Sequence, residues 1–344
     1  MTQVQAAQNQ HYVPKFLLRN FLVDPKKEQV HVFSKSSGRG FTTSIKNIMA
    51  ERRFHEFSID ENYLASFEES VCRVEDMLLP AYRSVVENRR FDGTPDQKAH
   101  LAMLMAFQFL RTRSQRDQFA HLERQLADRL NQRGVSIEDI EGYEPLTDDV
   151  LREQHIRFMR DAAGEFAQII GAKDFLLIKA PKGRQFYLSD NPVTIHNNQP
   201  QDGLRSNMGL SCEGIEIYMP LTSDLQLCAW CPSILENIKA RNVESNRQLA
   251  TIILSPAMVN VANPTLLQEQ LAQLRKYRAN FENTLSRAAE GVPLSASNEN
   301  MDFLNALQIG QAREHLICQK ADFDLAKRFV AENPNFTGGR ISIS

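Results

Sequence analysis

Three short segments of this 344-residue chain carry side chains whose types and spacing suit chemistry on a phosphate or a carboxylate. The first is the run His11-Tyr12-Val13-Pro14-Lys15-Phe16-Leu17-Leu18-Arg19-Asn20-Phe21. It is too apolar to stay in water, so it must dock on the body of the protein, where His11 would deliver a titratable imidazole into a pocket. The plainer reading is a hydrophobic plug in which His11 and Asn20 satisfy backbone groups nearby. The second segment is Gln108, Arg111, Arg113 and Arg116, where a helix that is apolar around its whole circumference turns polar. Guanidinium forks beside an amide suit an anion, and pairing with buried carboxylates is the structural alternative. The third is Ser189-Asp190-Asn191-Pro192 between two extended runs. Asp190 and Asn191 could serve as general base, metal ligand or amide donor from a rigid strand end, or could simply close a tight turn.

Two weaker patterns accompany these. Cys228-Ala229-Trp230-Cys231-Pro232 has redox spacing, but it reads as lying within or just after a strand instead of at a helix start, and no second pair completes a zinc site. Arg116 and His121 match the Arg-polar-xxx-His spacing of helical ribonucleases resembling the HEPN group, with cation and acid/base on adjacent turns. P-loop, dinucleotide, zincin and nucleophile-elbow motifs are absent.

The elements that must position these residues give an α+β chain, a predominantly helical body with a small antiparallel β-meander and an N-terminal hairpin. The spacing predicts a single domain over residues 1–344 in four stretches: 1–57, the leader and hairpin; 58–171, helical; 172–232, the sheet; and 233–344, C-terminal helices. Val30–Phe33 and Phe41–Ser44 form the hairpin around a Gly and Ser loop. Ser58 with Glu61 predicts the cap of a helix of about 30 residues. Thr94-Pro95-Asp96-Gln97 opens a second helix running to about Leu130, and Thr147-Asp148-Asp149 a third towards Ile170. Phe175–Ile178, Gln185–Leu188, Val193–His196, Ile215–Met219 and Leu225–Ala229 read as four or five strands. Helical spacing returns over Val243–Leu254, Pro264–Ala289 and Met301–Val330, before a tail ending Ile-Ser-Ile-Ser.

Bulk properties narrow the function. Forty Lys and Arg against forty-two Asp and Glu leave a net charge of -2, so no global basic field captures nucleic acid, and such contact needs a local patch. The polar, uncharged start and the lack of a long apolar run predict neither export nor membrane spanning. Five scattered cysteines predict reduced thiols, and the cytoplasm is the expected compartment.

His11-Tyr12-Val13-Pro14 with Asn20-Phe21, Gln108-Phe109-Leu110-Arg111-Thr112, and Tyr187-Leu188-Ser189-Asp190-Asn191-Pro192-Val193 together resemble the bacterial Domain-of-Unknown-Function 4238 family, in the expected order and over most of the chain. The resemblance implies gene neighbourhoods suggestive of phage defence and carries no established family activity. The leading expectation is a defence-type effector or toxin with phosphodiesterase or nuclease-like activity. Its catalytic residues would be His11, Asp190 and Asn191, and its phosphate-containing substrate, a nucleotide or nucleic acid, would be held by Gln108, Arg111, Arg113 and Arg116. The clustered carboxylates of a two-metal nuclease are lacking, so no metal ligand set is assigned and no cofactor is named. The alternatives are a non-enzymatic component that binds a partner protein of a defence operon, and a helical ribonuclease using Arg116 and His121.

Overall fold

The computed structural model describes residues 9–60, 63–143, 145–199, 207–254 and 264–333, which places the Ile-Ser-Ile-Ser tail and the first eight residues outside the described chain. Strand β1, Asn9–His11, leads into a single helical turn, α1 (Lys15–Leu18). The expected hairpin forms as β2 (Gln29–Ser34) and β3 (Arg39–Ser44), paired antiparallel with Val32 opposite Phe41. β4 (Ala50–Arg52) pairs with β1, setting Gln10 opposite Glu51.

Ser58 does not cap a helix. It lies in a second hairpin, β5 (Glu56–Asp60) with β6 (Tyr63–Ser66), where it faces Leu64. The alternation of Glu56, Phe57 and Ser58 outweighs the local capping box, and the helix, α2, begins at Glu68 and ends at Asn88. α3 (Pro95–Leu110) starts as read, with Thr94 Oγ1 accepting from the Gln97 amide at 3.3 Å. It stops sooner than periodicity suggests: the chain leaves the helix at Arg111, and Thr112 caps a new helix, α4 (Arg113–Gln132). α5 (Asp148–Gly171) is capped by Thr147 as expected.

The antiparallel strands follow, with an order the linear reading did not contain. β7 (Asp174–Lys179), β8 (Leu188–Ser189), β9 (Thr194–Asn197), β10 (Ile215–Thr222) and β11 (Leu225–Trp230) occur in the predicted places. Only β9, β10 and β11 form a meander. β7 pairs with β11 on the far side, and the edge is completed by a parallel strand, β12 (Leu294–Ser295). β8 leaves this sheet altogether. After α6 (Pro232–Leu254) and α7 (Pro264–Glu290), the last predicted helix divides into α8 (Asn298–Gln311), a strand β13 (His315–Ile317) and α9 (Asp324–Glu332). β13 pairs on one side with β2 and on the other with β8, giving a four-stranded sheet from the two ends and the middle of the chain.

Side chains from all four sequence stretches meet in one apolar cluster, among them Leu17, Phe21, Phe54, Leu101, Met105, Ile217 and Ile317. The leader is therefore a structural part of the core: Val13, Leu17, Leu18 and Phe21 are fully buried. By area burial each such side chain contributes about 1.5–3 kcal/mol, which is why a segment so near a terminus is ordered. No helix among the described residues is long and apolar enough to cross a membrane.

Candidate functional site

The leader is gripped by its backbone. Where α3 ends, the Arg111 side chain turns inwards, donating from Nη2 to the His11 carbonyl at 2.7 Å and from Nε to the Tyr12 carbonyl at 3.2 Å. Its Nη1 meets Glu75 Oε1 of α2 at 2.7 Å. Gln108, one turn earlier, donates to the same Tyr12 carbonyl at 3.0 Å. The stop of α3 and the hold on the leader are thus one event, made by a guanidinium only 1% exposed. His11 bonds through Nε2 to the Ile45 carbonyl at 2.8 Å, and burial depresses its pKa. Asn20 donates to Tyr82 and to the Leu221 carbonyl, as the plainer reading of the leader anticipated.

Asp190 sits at the end of β8 and serves the loop between α8 and β13. Its Oδ1 accepts from the Arg313 amide at 2.8 Å, and its Oδ2 from the amides of Glu314 at 2.8 Å and His315 at 2.9 Å. Burial raises this carboxyl despite the opposing pull of those three donors. Asn191 donates to the Gln311 carbonyl at 3.2 Å, and its amide bonds to Ser189 Oγ. The predicted meeting of three side chains is accordingly redistributed. His11 and Arg111 come together through a main-chain carbonyl. Among the described residues no hydrogen bond or ion pair links Asp190 to either, because both its oxygens are filled by its own sheet.

The residues that do converge are neighbours of the predicted ones. Tyr12, 6% exposed, lies within the electrostatic reach of Asp190, Arg113, Arg313 and Glu51; burial and the acids raise its phenol, and the two arginines oppose them. Glu51 of β4 accepts from Arg116 Nη2 through both oxygens, at 2.9 and 2.8 Å, and lies 3.5 Å from Arg113 Nε. Burial would raise the Glu51 carboxyl, but Arg116, then Arg113 and Arg152, outweigh it and hold it below the ordinary value. The Arg116 guanidinium also stacks 4.7 Å from the Phe54 ring centroid. Arg313 pairs with Asp117, and Arg152 with Asp149 at 3.2 Å.

Arginines and acids are matched on this face, Arg113, Arg116, Arg152 and Arg313 against Glu51, Asp117, Asp149 and Asp190. Arg113 and Arg116 occupy the first turn of α4, which holds no acid, so the helix dipole adds to their positive charge, and the two share the carboxylate of Glu51. Four buried guanidinium nitrogens make no hydrogen bond among the described residues, Arg53 Nε, Arg113 Nε, Arg116 Nη1 and Arg152 Nε, and of these Arg113 Nε is ion-paired with Glu51 at 3.5 Å. Buried N–H groups without partners are rare in folded proteins, and several around one point mark a place where an anion or water is accepted.

Sequence reasoning missed Tyr12, Glu51, Arg152 and Arg313. A tyrosine within an apolar run reads as core, and the other three lie on elements whose meeting only the tertiary fold defines. The helical-ribonuclease pair does not share a face: five residues turn a helix through about 140° beyond a full turn. Arg116 is directed at Glu51 and Phe54, while His121 Nε2 lies 2.6 Å from Gln125 Nε2 on α4 itself. Among the described residues no cluster of three His, Cys, Asp or Glu side chains could hold a metal ion.

Comparison with known proteins agrees with the motif order. The family model described as protein of unknown function (DUF4238) matches residues 9–322, from the first residue of β1 to beyond β13. The chain belongs to the DUF4238 family. The match takes in the leader clamp, the arginine face and the Asp190 loop together. No curated protein and no solved structure matches it.

Proposed function

We propose that this DUF4238 chain recognises a phosphate-containing ligand, a nucleotide or the end of a nucleic acid, at the face formed by Tyr12, Arg113, Arg116 and Arg152. The observation that carries this reading is that two buried guanidinium nitrogens, Arg116 Nη1 and Arg152 Nε, make no hydrogen bond beside the Glu51 carboxylate that Arg113 and Arg116 share. Phosphate oxygens match the fork geometry of arginine better than any neutral ligand does, and the N-terminus of α4 supplies further positive potential. Phosphodiesterase or nuclease-like turnover, in a defence setting, is the activity such recognition would serve.

A second reading rests on a separate observation. His11 and Asp190 are engaged by backbone partners, as expected of a non-enzymatic component in which the same polar residues lock the leader and sheet onto the helices. In that case the arginine face would meet the phosphates of a nucleic acid or the carboxylates of a partner protein without reacting.

The test is fluorescence anisotropy with a terminally phosphorylated oligonucleotide, with pyrophosphate as competitor, and hydrolysis of bis-p-nitrophenyl phosphate measured beside it. Salt-sensitive binding that pyrophosphate displaces and that Arg113→Ala/Arg152→Ala weakens by about tenfold or more is the expected result. No binding, or equal binding by the double variant, overturns the phosphate reading. Binding without turnover assigns the chain to the non-enzymatic class.

A further inference from the structure

The Cys228-Ala229-Trp230-Cys231 segment is no redox pair, because Cys228 packs in one apolar cluster and Cys231 in the other, across the sheet. Between them stands Trp230, the single tryptophan of the chain, and the row it occupies gathers a polar site of its own. The antiparallel ladders set His196 opposite Glu216, Glu216 opposite Trp230 and Trp230 opposite Asp174, so β9, β10, β11 and β7 each give one side chain to the same row and face. Leu235 of α6, Ala288 of α7 and Leu307 of α8 join Trp230 around the apolar cluster of that face. Phe303 of α8 meets the His196 ring edge-on at 4.8 Å and stays 38% exposed, which leaves the row open to solvent on the His196 side.

Negative charge collects in this row without a fixed cation. Glu216 accepts from the Tyr218 hydroxyl and, at 3.2 Å, from Asn198 Nδ2, whose own Oδ1 lies 2.6 Å from His196 Nε2. Among the described residues no lysine or arginine pairs with Glu216 or with Asp174, and burial raises the Glu216 carboxyl against the pull of Tyr218 and His196. A carboxylate has about four lone-pair positions, so two donors leave Glu216 room for more. Thr194 supplies an observation independent of the acids. It is 1% exposed, stands opposite Tyr218 one step along the same face, and its hydroxyl finds no partner among the described residues. The Trp230 N–H likewise faces the Tyr218 hydroxyl without completing a hydrogen bond. A buried hydroxyl left over beside carboxylates that lack a counter-charge calls for a donor the chain does not provide.

We infer that this row is a binding site for a short aliphatic diamine, with one ammonium held by Glu216 and Thr194, the other by Asp174, and the methylenes laid along Trp230. The spacing selects this class of cation. Asp174 and Glu216 sit two strand separations apart, about 10 Å between their backbones, with the indole between them. A single metal ion needs its oxygens within about 2–2.6 Å and cannot be shared over that span, whereas a dication with a hydrocarbon middle matches two acids flanking an aromatic ring.

Because the chain has one tryptophan, its emission reports on this site alone. The experiment titrates the full chain with putrescine, with n-butylamine as the monoamine comparator and sodium chloride at matched ionic strength as the control. Putrescine is expected to change the Trp230 emission saturably where sodium chloride does not, and Glu216→Gln should weaken both amines by about tenfold or more. Asp174→Asn should weaken putrescine severalfold and leave n-butylamine unchanged, since only the second ammonium reaches that acid. Circular dichroism checks the fold of each variant, and Asp174→Asn, outside the hydrogen-bonded Glu216–Tyr218 pair, keeps the test decisive if Glu216→Gln unfolds. No saturable response to millimolar putrescine, the same response to sodium chloride, or equal affinity in Glu216→Gln overturns the site. An Asp174→Asn variant that treats the two amines alike overturns the diamine assignment.

Discussion

Two arginine sites lie within six residues of one another, and they use the same functional group in opposite ways. Arg111 has each of its three nitrogens on a fixed acceptor: the His11 carbonyl, the Tyr12 carbonyl and Glu75. Arg113 and Arg116 share one carboxylate, Arg113 through an Nε 3.5 Å from it and outside hydrogen-bond geometry, and Arg116 leaves Nη1 without an acceptor. The group left over in the inner clamp, Gln108 Oε1, belongs to an uncharged amide, whereas that of Arg116 on the outer face carries charge. A buried guanidinium is therefore evidence of a ligand site only when its donors exceed the acceptors the fold supplies. Where they balance, as at Arg111, the residue is architecture.

The sharpest way to break this contrast is at Arg111. Arg111→Ala should remove about 3–5 kcal/mol of stability, because Glu75 loses its partner and two leader carbonyls lose their donors. Urea denaturation measures it. A loss comparable to that of Arg113→Ala would mean that the clamp is not the inner lock described here. Arg113→Ala removes only a half-exposed pair and should cost at most about 1 kcal/mol.

Acid gives the next largest effect, and it also belongs to the clamp side. His155 of α5 donates from Nε2 to the Leu110 carbonyl at 2.8 Å, packs against Phe54, and is held by burial at a pKa of about 4. A histidine depressed in the folded state binds its proton more readily when unfolded. Its contribution is therefore whole above pH about 6.5 and is lost as pH falls towards about 4, amounting to roughly 3 kcal/mol. His11 and His55 are lowered by burial in the same sense and steepen the curve. His155→Gln should flatten that acid limb in chemical denaturation series. An unchanged slope would show that the imidazole is not the titrating group.

How much of this was legible depends on the range of the interaction that decides each feature. Thr94 and Thr147 were readable as caps because the bond lies within three residues. Ser58 was misread because its strand partner overrides an equally local capping signal. The end of α3 at Arg111 could not be read at all, since it is set by a leader some 100 residues upstream, and the helix pattern runs through it unbroken. β8 looked like a meander strand until its partner, β13, arrived more than a hundred residues later. The site followed the same rule. His11, Arg111 and Asp190 drew notice as polar groups in apolar or turn contexts, and each is at a structural joint. Glu51, Arg152 and Arg313 are ordinary surface types in sequence, and only the packing of β4, α5 and the loop before β13 brings Arg152 near Glu51 and Arg313 near Tyr12.

On the outer face the order of effects reverses, with binding changing more than folding. Arg113→Ala/Arg152→Ala should lower affinity for the phosphorylated oligonucleotide by about tenfold or more, equivalent to about 1.4 kcal/mol, while the unfolding midpoint moves little. A double variant that unfolds early yet binds normally would merge the two regions and remove the distinction between them.

The finest division runs through one residue. Tyr12 offers its carbonyl to the clamp, receiving Gln108 and Arg111, and its phenol to the arginine face, among Arg113, Arg313, Glu51 and Asp190. Tyr12→Phe keeps the carbonyl and the ring contact with Phe54, whose centroid lies 5.2 Å away, and deletes only the hydroxyl. A hydrogen bond from a single hydroxyl to a charged ligand is worth about 1.5 kcal/mol at the low end, so affinity for pyrophosphate should fall about tenfold with no measurable change in the urea midpoint. If stability drops instead, the hydroxyl is one more tie of the leader to the core. If neither changes, the ligand approaches the arginines without passing the phenol, and the boundary between lock and recognition face lies at Glu51.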